Sequence, residues 1–112
     1  ASLSPDLQAT LQIALEETPK HLDDWSTREA ATACGLSYNY FSHAFKKAFG
    51  ISYTAYLESA RLREAERLLL TTNMEITEIA YRIGFGSASY FIERFRKCYG
   101  TPPRLFRARM RD

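Results

Sequence analysis

The sequence predicts an all-α fold of about seven helices, and two observations lead to that prediction. No long segment alternates apolar and polar residues, so no sheet is expected. The segments 27–50 and 76–100 also share one pattern, with an offset of 49 before a turn and 50 after it. The matched pairs are Gly35 and Gly84, Phe41 and Phe91, Phe45 and Phe95, Phe49 and Tyr99, and Gly50 and Gly100. Each copy is a short helix, a glycine turn and a longer helix, which is typical of a helix-turn-helix unit.

Helix start and stop signals divide the chain into its elements. Ser4 followed by Pro5 is typical of a helix start, and Ser26 with Glu29 has the spacing of a capping box. Gly35 stands where a helix end commonly needs a left-handed residue. The expected helices run from Pro5 to near Thr18, from Ser26 to Gly35, over about 38–49, over 53–70, from near Ile76 to the Gly84 turn, over about 88–99, and from Arg104 onward.

The chain is expected to form three consecutive segments. The first, 1–52, holds the N-terminal helix and the first helix-turn-helix unit, and the last, 71–112, holds the second unit and a basic C-terminal stretch. Between them, 53–70 has no proline or glycine and interleaves apolar with charged residues at helical spacing. At about 1.5 Å per residue, this linker helix would be roughly 27 Å long.

Charge is distributed unevenly along the chain, although the net charge is only +2. Residues 1–37 carry six acids and two bases, whereas 38–112 carry seven acids and thirteen bases. The stretch 94–111 has seven bases and no acid. A solubilising surface explains a few of these charges, but such segregation more often indicates an anionic partner.

Targeting and cysteine signals point to an ordinary soluble protein. No apolar run approaches the roughly 20 residues that cross a bilayer, and no charged and apolar leader opens the chain. A soluble, cytoplasmic protein without membrane contact is therefore expected. Cys34 and Cys98 lie in different copies of the repeat, and Cys34 is expected to be a small buried thiol.

An enzyme and a zinc protein are the less favoured classes. The chain has two histidines, His43 and His21, and neither is placed with a cysteine as a nucleophile and its base. No histidine or cysteine spacing matches a zinc site. The sequence therefore predicts no catalytic residue, no cofactor and no metal.

The longer helix of each copy has one apolar and one polar face when its residues are placed at 100° steps. The expected core residues are Phe41, Ala44, Phe45 and Ala48 in the first copy, and Phe91, Phe95 and Cys98 in the second. The opposite faces carry Asn39, Ser42, His43 and Lys46, and Ser89, Ile92, Glu93 and Arg96. Short polar groups followed by cations suit a helix in the major groove of DNA, whereas a merely solvated surface is the alternative for either copy alone. The expected phosphate contacts are Lys46, Lys47, Arg96 and Lys97.

These residues resemble the AraC/XylS family of transcription regulators over about residues 25–107. The most specific matches are 79–85, 89–91, 95–97, 100–102 and 106–107, supported in the first copy by 36–37, Phe41, 45–47, Gly50 and Tyr56. The resemblance implies a seven-helix DNA-binding domain whose two helix-turn-helix units, joined by a long rigid helix, bind successive major grooves on one face of double-stranded DNA. It also implies a companion domain outside this chain, for an effector or for dimerisation.

Base contacts follow from the resemblance residue by residue. They are Asn39, Ser42 and His43 in the first unit, and Ala88, Ser89, Ile92 and Glu93 in the second. Arg61 resembles the family's linker arginine, which we interpret as structural. Where the family often has arginine this chain has His43 and Glu93, so the base preference is left open.

Glu93 has three possible roles and the acidic N-terminal third has one. Glu93 would accept a hydrogen bond from a cytosine amino group, pair with Arg96 at i and i+3, or point to solvent at the rim. The acidic N-terminal third would face a protein such as RNA polymerase or a companion domain, through Glu16, Glu17, Asp23 and Asp24. A helical protein-interaction module is thus the main rival to a DNA-binding domain.

Overall fold

A computed structural model describes residues 4–111, and they form seven α-helices and one short 3-10 helix. The helices are α1 (Pro5–Glu17), α2 (Thr27–Ala33), α3 (Tyr38–Phe49), α4 (Tyr53–Thr71), α5 (Ile76–Arg82), α6 (Ala88–Tyr99) and α7 (Pro103–Met110), with the 3-10 helix at Thr18–Lys20. Over this described part of the chain there is no strand, so the predicted all-α fold is confirmed. None of the helices of residues 4–111 is both long and apolar enough to cross a membrane.

The chain divides into two compact units, and the boundary lies inside α4 between Ala60 and Arg61. The helix ends one residue beyond the expected 53–70 segment. The expected division into three segments, 1–52, 53–70 and 71–112, stays a prediction. Residues 1–3 of the first segment and residue 112 of the last segment lie outside the described residues.

The first unit packs α1, α2, α3 and the start of α4 around an aromatic centre. The rings of Phe41 and Phe45 each lie 5.3 Å from the ring of Tyr53. The Thr18 hydroxyl, fully buried, donates to the carbonyl oxygen of Ala14 at 2.6 Å and lies 2.7 Å from the Tyr53 hydroxyl. Since the Thr18 proton is already used, the Tyr53 hydroxyl is the donor of this second bond.

The second unit packs α5, α6 and α7 with the rest of α4 around Phe95. The ring of Phe95 stacks on the ring of Tyr99, with their centroids 4.2 Å apart. It also packs against the rings of Phe91 and Phe106, at centroid distances of 5.8 and 5.4 Å. The Tyr99 hydroxyl donates to the Glu66 carboxylate at 3.0 Å, and burial together with this carboxylate raises the pKa of Tyr99. The end of α6 is thereby attached to α4.

Two arginines of the C-terminal segment cap the end of α4. Arg107 Nε donates to the carbonyl oxygen of Leu69 at 3.1 Å, and Arg111 Nη1 donates to that of Thr72 at 2.7 Å. The last carbonyl groups of a helix have no partner within it and carry partial negative charge, so cationic donors stabilise that end. Part of the basic C-terminal stretch therefore has a structural role.

Two local expectations need correction. Cys98 is exposed, not buried with Phe91 and Phe95, because the Tyr99 ring covers Phe95 at the C-terminal end of α6. Ser26 does not cap α2 through its side chain; its hydroxyl instead donates to the Glu29 carboxylate at 2.7 Å and lowers the pKa of Glu29. The expected burial of Cys34 is confirmed, and burial raises the pKa of its thiol.

Candidate nucleic-acid interface

The same capping arrangement sets the start and the end of α3 and of α6. The hydroxyls of Ser37 and Ser87 accept hydrogen bonds from the backbone N–H groups three residues later, at 3.2 and 3.1 Å. Gly50 and Gly100 end the two helices with φ of +82° and +79°, a left-handed conformation that glycine adopts without a steric penalty. The repeat in the sequence is therefore a repeat of helix boundaries.

The apolar side of α3 fixes which residues face outward. Phe41, Ala44 and Phe45 are buried in the first core, whereas Asn39 and His43 are exposed on the opposite side. Ser42, partly buried, donates its hydroxyl to the carbonyl oxygen of Tyr38 at 2.9 Å. The Ser42 oxygen remains an acceptor for a ligand.

A cleft of about 620 Å³ lies on this outer side of α3. Its lining residues are Ser42, His43, Lys46, Lys47 and Ser52. Ser52, which the sequence did not single out, accepts a hydrogen bond from the backbone N–H of Ala55 at 3.1 Å and so caps the start of α4. Its place directly before the predicted linker helix was the signal that would have found it.

The outer side of α6 carries Ser89, Ile92 and Glu93, all exposed. Ile92 is 37% exposed, so a large apolar side chain lies within the polar face as expected. Ala88 differs from the others because it packs partly against the second core. Only the accessible part of Ala88 is therefore available for contact with a ligand.

Glu93 pairs with Lys97, at i and i+4, and not with Arg96 as one of the expected alternatives had it. Glu93 Oε1 lies 3.6 Å from Lys97 Nζ, and both side chains are more than half exposed. Such a surface pair contributes about 0–1 kcal/mol and is screened by salt. In the first unit the equivalent positions hold His43 and Lys47, and no carboxylate of residues 4–111 pairs with Lys47.

Three exposed tyrosines near the starts of α3 and α6 extend the two faces. Tyr38, Tyr40 and Tyr90 are 50%, 53% and 53% exposed. Phenolic hydroxyls are frequent donors to phosphate oxygens in protein–DNA complexes. Sequence reasoning missed them, although the offset of 50 places Tyr40 and Tyr90 at equivalent positions in the two copies.

His21 takes part in local packing. Its ring stacks on Trp25 with centroids 4.5 Å apart, and its Nε2 lies 3.6 Å from a carboxylate oxygen of Glu17. Within residues 4–111 no group of three histidine, cysteine, aspartate or glutamate side chains is placed to hold a metal ion.

Comparison with known proteins identifies the family. Residues 30–109 match the family model described as a helix-turn-helix domain. The C-terminal domain of the two-component response regulator yesN from Fusobacterium nucleatum is 34% identical, with a TM-score of 0.77 over 93% of this chain and 99% of that domain. An AraC-type DNA-binding domain-containing regulator from Chromobacterium violaceum superposes with a TM-score of 0.83 at 27% identity, over 94% of this chain and 95% of that one. The chain belongs to the AraC/XylS family. The resemblance noted from the sequence is thereby confirmed.

Other AraC/XylS relatives agree with this assignment. The arabinose operon regulatory protein of Escherichia coli is 36% identical over 96% of this chain, but the match spans 37% of that protein. The DNA-binding domain of AdpA, solved in complex with a target DNA, superposes with a TM-score of 0.85 at 27% identity, over 91% of this chain and 93% of that one. This chain therefore has the helix-turn-helix fold of AraC-type DNA-binding domains.

Proposed function

We propose that this chain binds double-stranded DNA in a sequence-specific manner for transcription regulation, with α3 and α6 in successive major grooves. The observation that carries the proposal is the repeated arrangement of a serine cap, a buried aromatic face and an outward polar face ending in cations. A single solvated helix would explain one such face, but two faces matched in position and boundary favour a common ligand. The AdpA domain solved with its target DNA supports the same reading.

The proposed base contacts lie near the N-terminal halves of the two helices. They are Asn39, Ser42 and His43 on α3, and Ala88, Ser89, Ile92 and Glu93 on α6. The polar groups among them form hydrogen bonds with base edges, and Ile92 suits the methyl group of thymine. The proposed phosphate contacts are Lys46, Lys47, Arg96 and Lys97, all exposed and one turn further along.

The partners and the location follow from this function. The chain spans 37–39% of the length of the arabinose operon regulators that it matches, so we propose a companion domain for an effector or for dimerisation in the complete protein. The proposed contact surface for RNA polymerase or that companion domain consists of Glu16, Glu17, Asp23 and Asp24. Three of these acids are exposed, whereas Glu17 is partly buried and pairs with Lys20 at 3.0 Å. A protein that binds chromosomal DNA is expected in the cytoplasm, with neither an enzymatic activity nor a cofactor.

A binding assay in which salt is varied separates the two classes of contact. Duplexes selected from random DNA are titrated with the parent, with Lys47→Ala and with Asn39→Ala, at several salt concentrations. Lys47→Ala is expected to weaken all sequences alike and to lower the slope of log affinity against log salt by about one. Asn39→Ala is expected to relax the preference at one base pair and to keep the slope.

Two results of this assay would count against the proposal. If no duplex is selected above the background of random DNA, the chain is not a sequence-specific binder and the protein-interaction alternative gains. If Lys47→Ala changes the selected sequence while the salt slope stays the same, the assignment of this lysine to phosphate is wrong.

Glu93 is expected to select a C·G pair at one position of the second DNA segment. A carboxylate in the groove is repelled by phosphates, so a direct role requires a donor, and the cytosine amino group is the one that suits it. Selection is repeated with Glu93→Ala, and with Glu78→Ala as the control that removes an exposed acid from α5. Loss of the C·G preference in Glu93→Ala alone is the expected result. An unchanged motif with tighter binding would mean that Glu93 acts by neutralising Lys97.

A further inference from the structure

The imidazole of His43 is held in one tautomer by its own helix. Its Nδ1 lies 3.0 Å from the backbone carbonyl oxygen of Asn39, one turn earlier. A carbonyl oxygen accepts hydrogen bonds and cannot donate one, so Nδ1 must carry the proton. In the neutral ring, Nε2 is then an unprotonated acceptor.

Nothing in the described part of the chain uses this acceptor. Among residues 4–111 the Asn39 carbonyl is the one group that bonds the His43 ring, and it engages Nδ1. The ring is exposed and lines the cleft with Ser42, Lys46 and Lys47. The two lysines bring positive charge to the same cleft, which suits a ligand whose backbone carries phosphates.

We propose that Nε2 of His43 accepts a hydrogen bond from the exocyclic amino group of one base, N6 of adenine or N4 of cytosine, at the major-groove edge. The inference rests on the proposed DNA-binding function and adds the chemical class of base that this residue reads. Major-groove edges offer hydrogen-bond donors on adenine and cytosine, whereas guanine offers N7 and O6 and thymine offers O4, all acceptors. An acceptor placed against an acceptor leaves both without a partner, so guanine or thymine on the strand that faces Nε2 is disfavoured by on the order of 10-fold.

The tautomer itself is measured on the free protein by long-range proton–nitrogen correlation spectra at about pH 8. The expected pattern for His43 is a protonated Nδ1 and an unprotonated Nε2. His21, whose two ring nitrogens both lie near carboxylates, provides the internal comparison. A protonated Nε2 in His43 would overturn the proposal before any DNA is added.

The base is identified by functional-group deletion. In the selected duplex, the position whose preference disappears in His43→Ala marks the base pair that His43 reads, and the adenine or cytosine of that pair carries the amino group to be deleted. Replacing that base by its analogue without the exocyclic amino group is expected to weaken the parent by about 10-fold and to leave His43→Ala unchanged. His43→Arg, which substitutes a donor for the acceptor, is expected to move the preference to guanine. Gln12→Ala, a change at an exposed position of α1 outside the proposed interface, is expected to keep the response to the analogue.

The outcomes separate this inference from the proposed function. A parent that ignores deletion of this amino group, at the position where His43→Ala has lost its preference, binds DNA but overturns the role given to His43. A chain that selects no duplex overturns the proposed function and the role of His43 with it.

Discussion

Insertion of five base pairs between the two segments of the selected DNA site is expected to lower affinity by about 100-fold. One turn of B-DNA is about 10 base pairs, so five additional pairs rotate one segment to the opposite side of the duplex. The helix α4 starts in the first unit and ends in the second, and its 19 residues contain neither proline nor glycine. A helix of fixed rise cannot lengthen to follow the displaced segment.

The same five base pairs placed just outside the site serve as the control, and they are expected to leave the affinity unchanged. A site whose second segment is scrambled provides the affinity of the first unit alone, and the interrupted site is expected to match it. Fluorescence anisotropy at one salt concentration is sufficient for all three comparisons. Equal affinity for the interrupted and the parent site would mean that the two units do not bind one site together.

Much of the fold was predictable because the elements are bounded by residues with strong local preferences. Ser37 and Ser87 cap their helices through the side chain, and Gly50 and Gly100 have the positive φ that favours glycine. Since these signals appear twice at nearly constant spacing, each copy supports the interpretation of the other. The helix α4 was equally clear, because no residue within it interrupts the helical pattern.

The details that sequence missed depend on neighbours distant along the chain or on side-chain conformations. Placing residues at 100° steps put Cys98 in the core, but that projection takes no account of the Tyr99 ring, which covers Phe95 there. Glu93 had basic residues three and four positions later, and spacing alone did not distinguish Arg96 from Lys97.

The hydrogen bond from the His43 ring to its own helix depends on a side-chain rotamer, which residue identity does not specify. The sequence therefore predicted His43 as a candidate base contact, but not whether its free ring nitrogen donates or accepts a hydrogen bond. The partial burial of Ala88 depends in the same way on the second core, against which it packs.

Replacement of Phe95 by alanine is expected to lower the free energy of unfolding by about 3–5 kcal/mol. The ring is fully buried and contacts Phe91, Tyr99 and Phe106, so its removal leaves a cavity among side chains that hold α6 to α7. Domains of this size are stable by about 5–15 kcal/mol, so the change removes a large part of the total. Urea denaturation followed by circular dichroism measures it, and Cys98→Ala, an exposed position on the same helix, is expected to change the value by less than about 0.5 kcal/mol.

The unfolding caused by Phe95→Ala is expected to begin in the second unit, because the two hydrophobic cores have no buried residue in common among residues 4–111. Amide hydrogen exchange of Phe95→Ala should therefore show greater loss of protection in α5 and α6 than in α2 and α3. Phe45→Ala, at the equivalent buried position of the first core, should reverse that order. Equal loss of protection in all four helices for both variants would show that the chain unfolds as one cooperative body. In that case each recognition helix would depend on the packing of both cores.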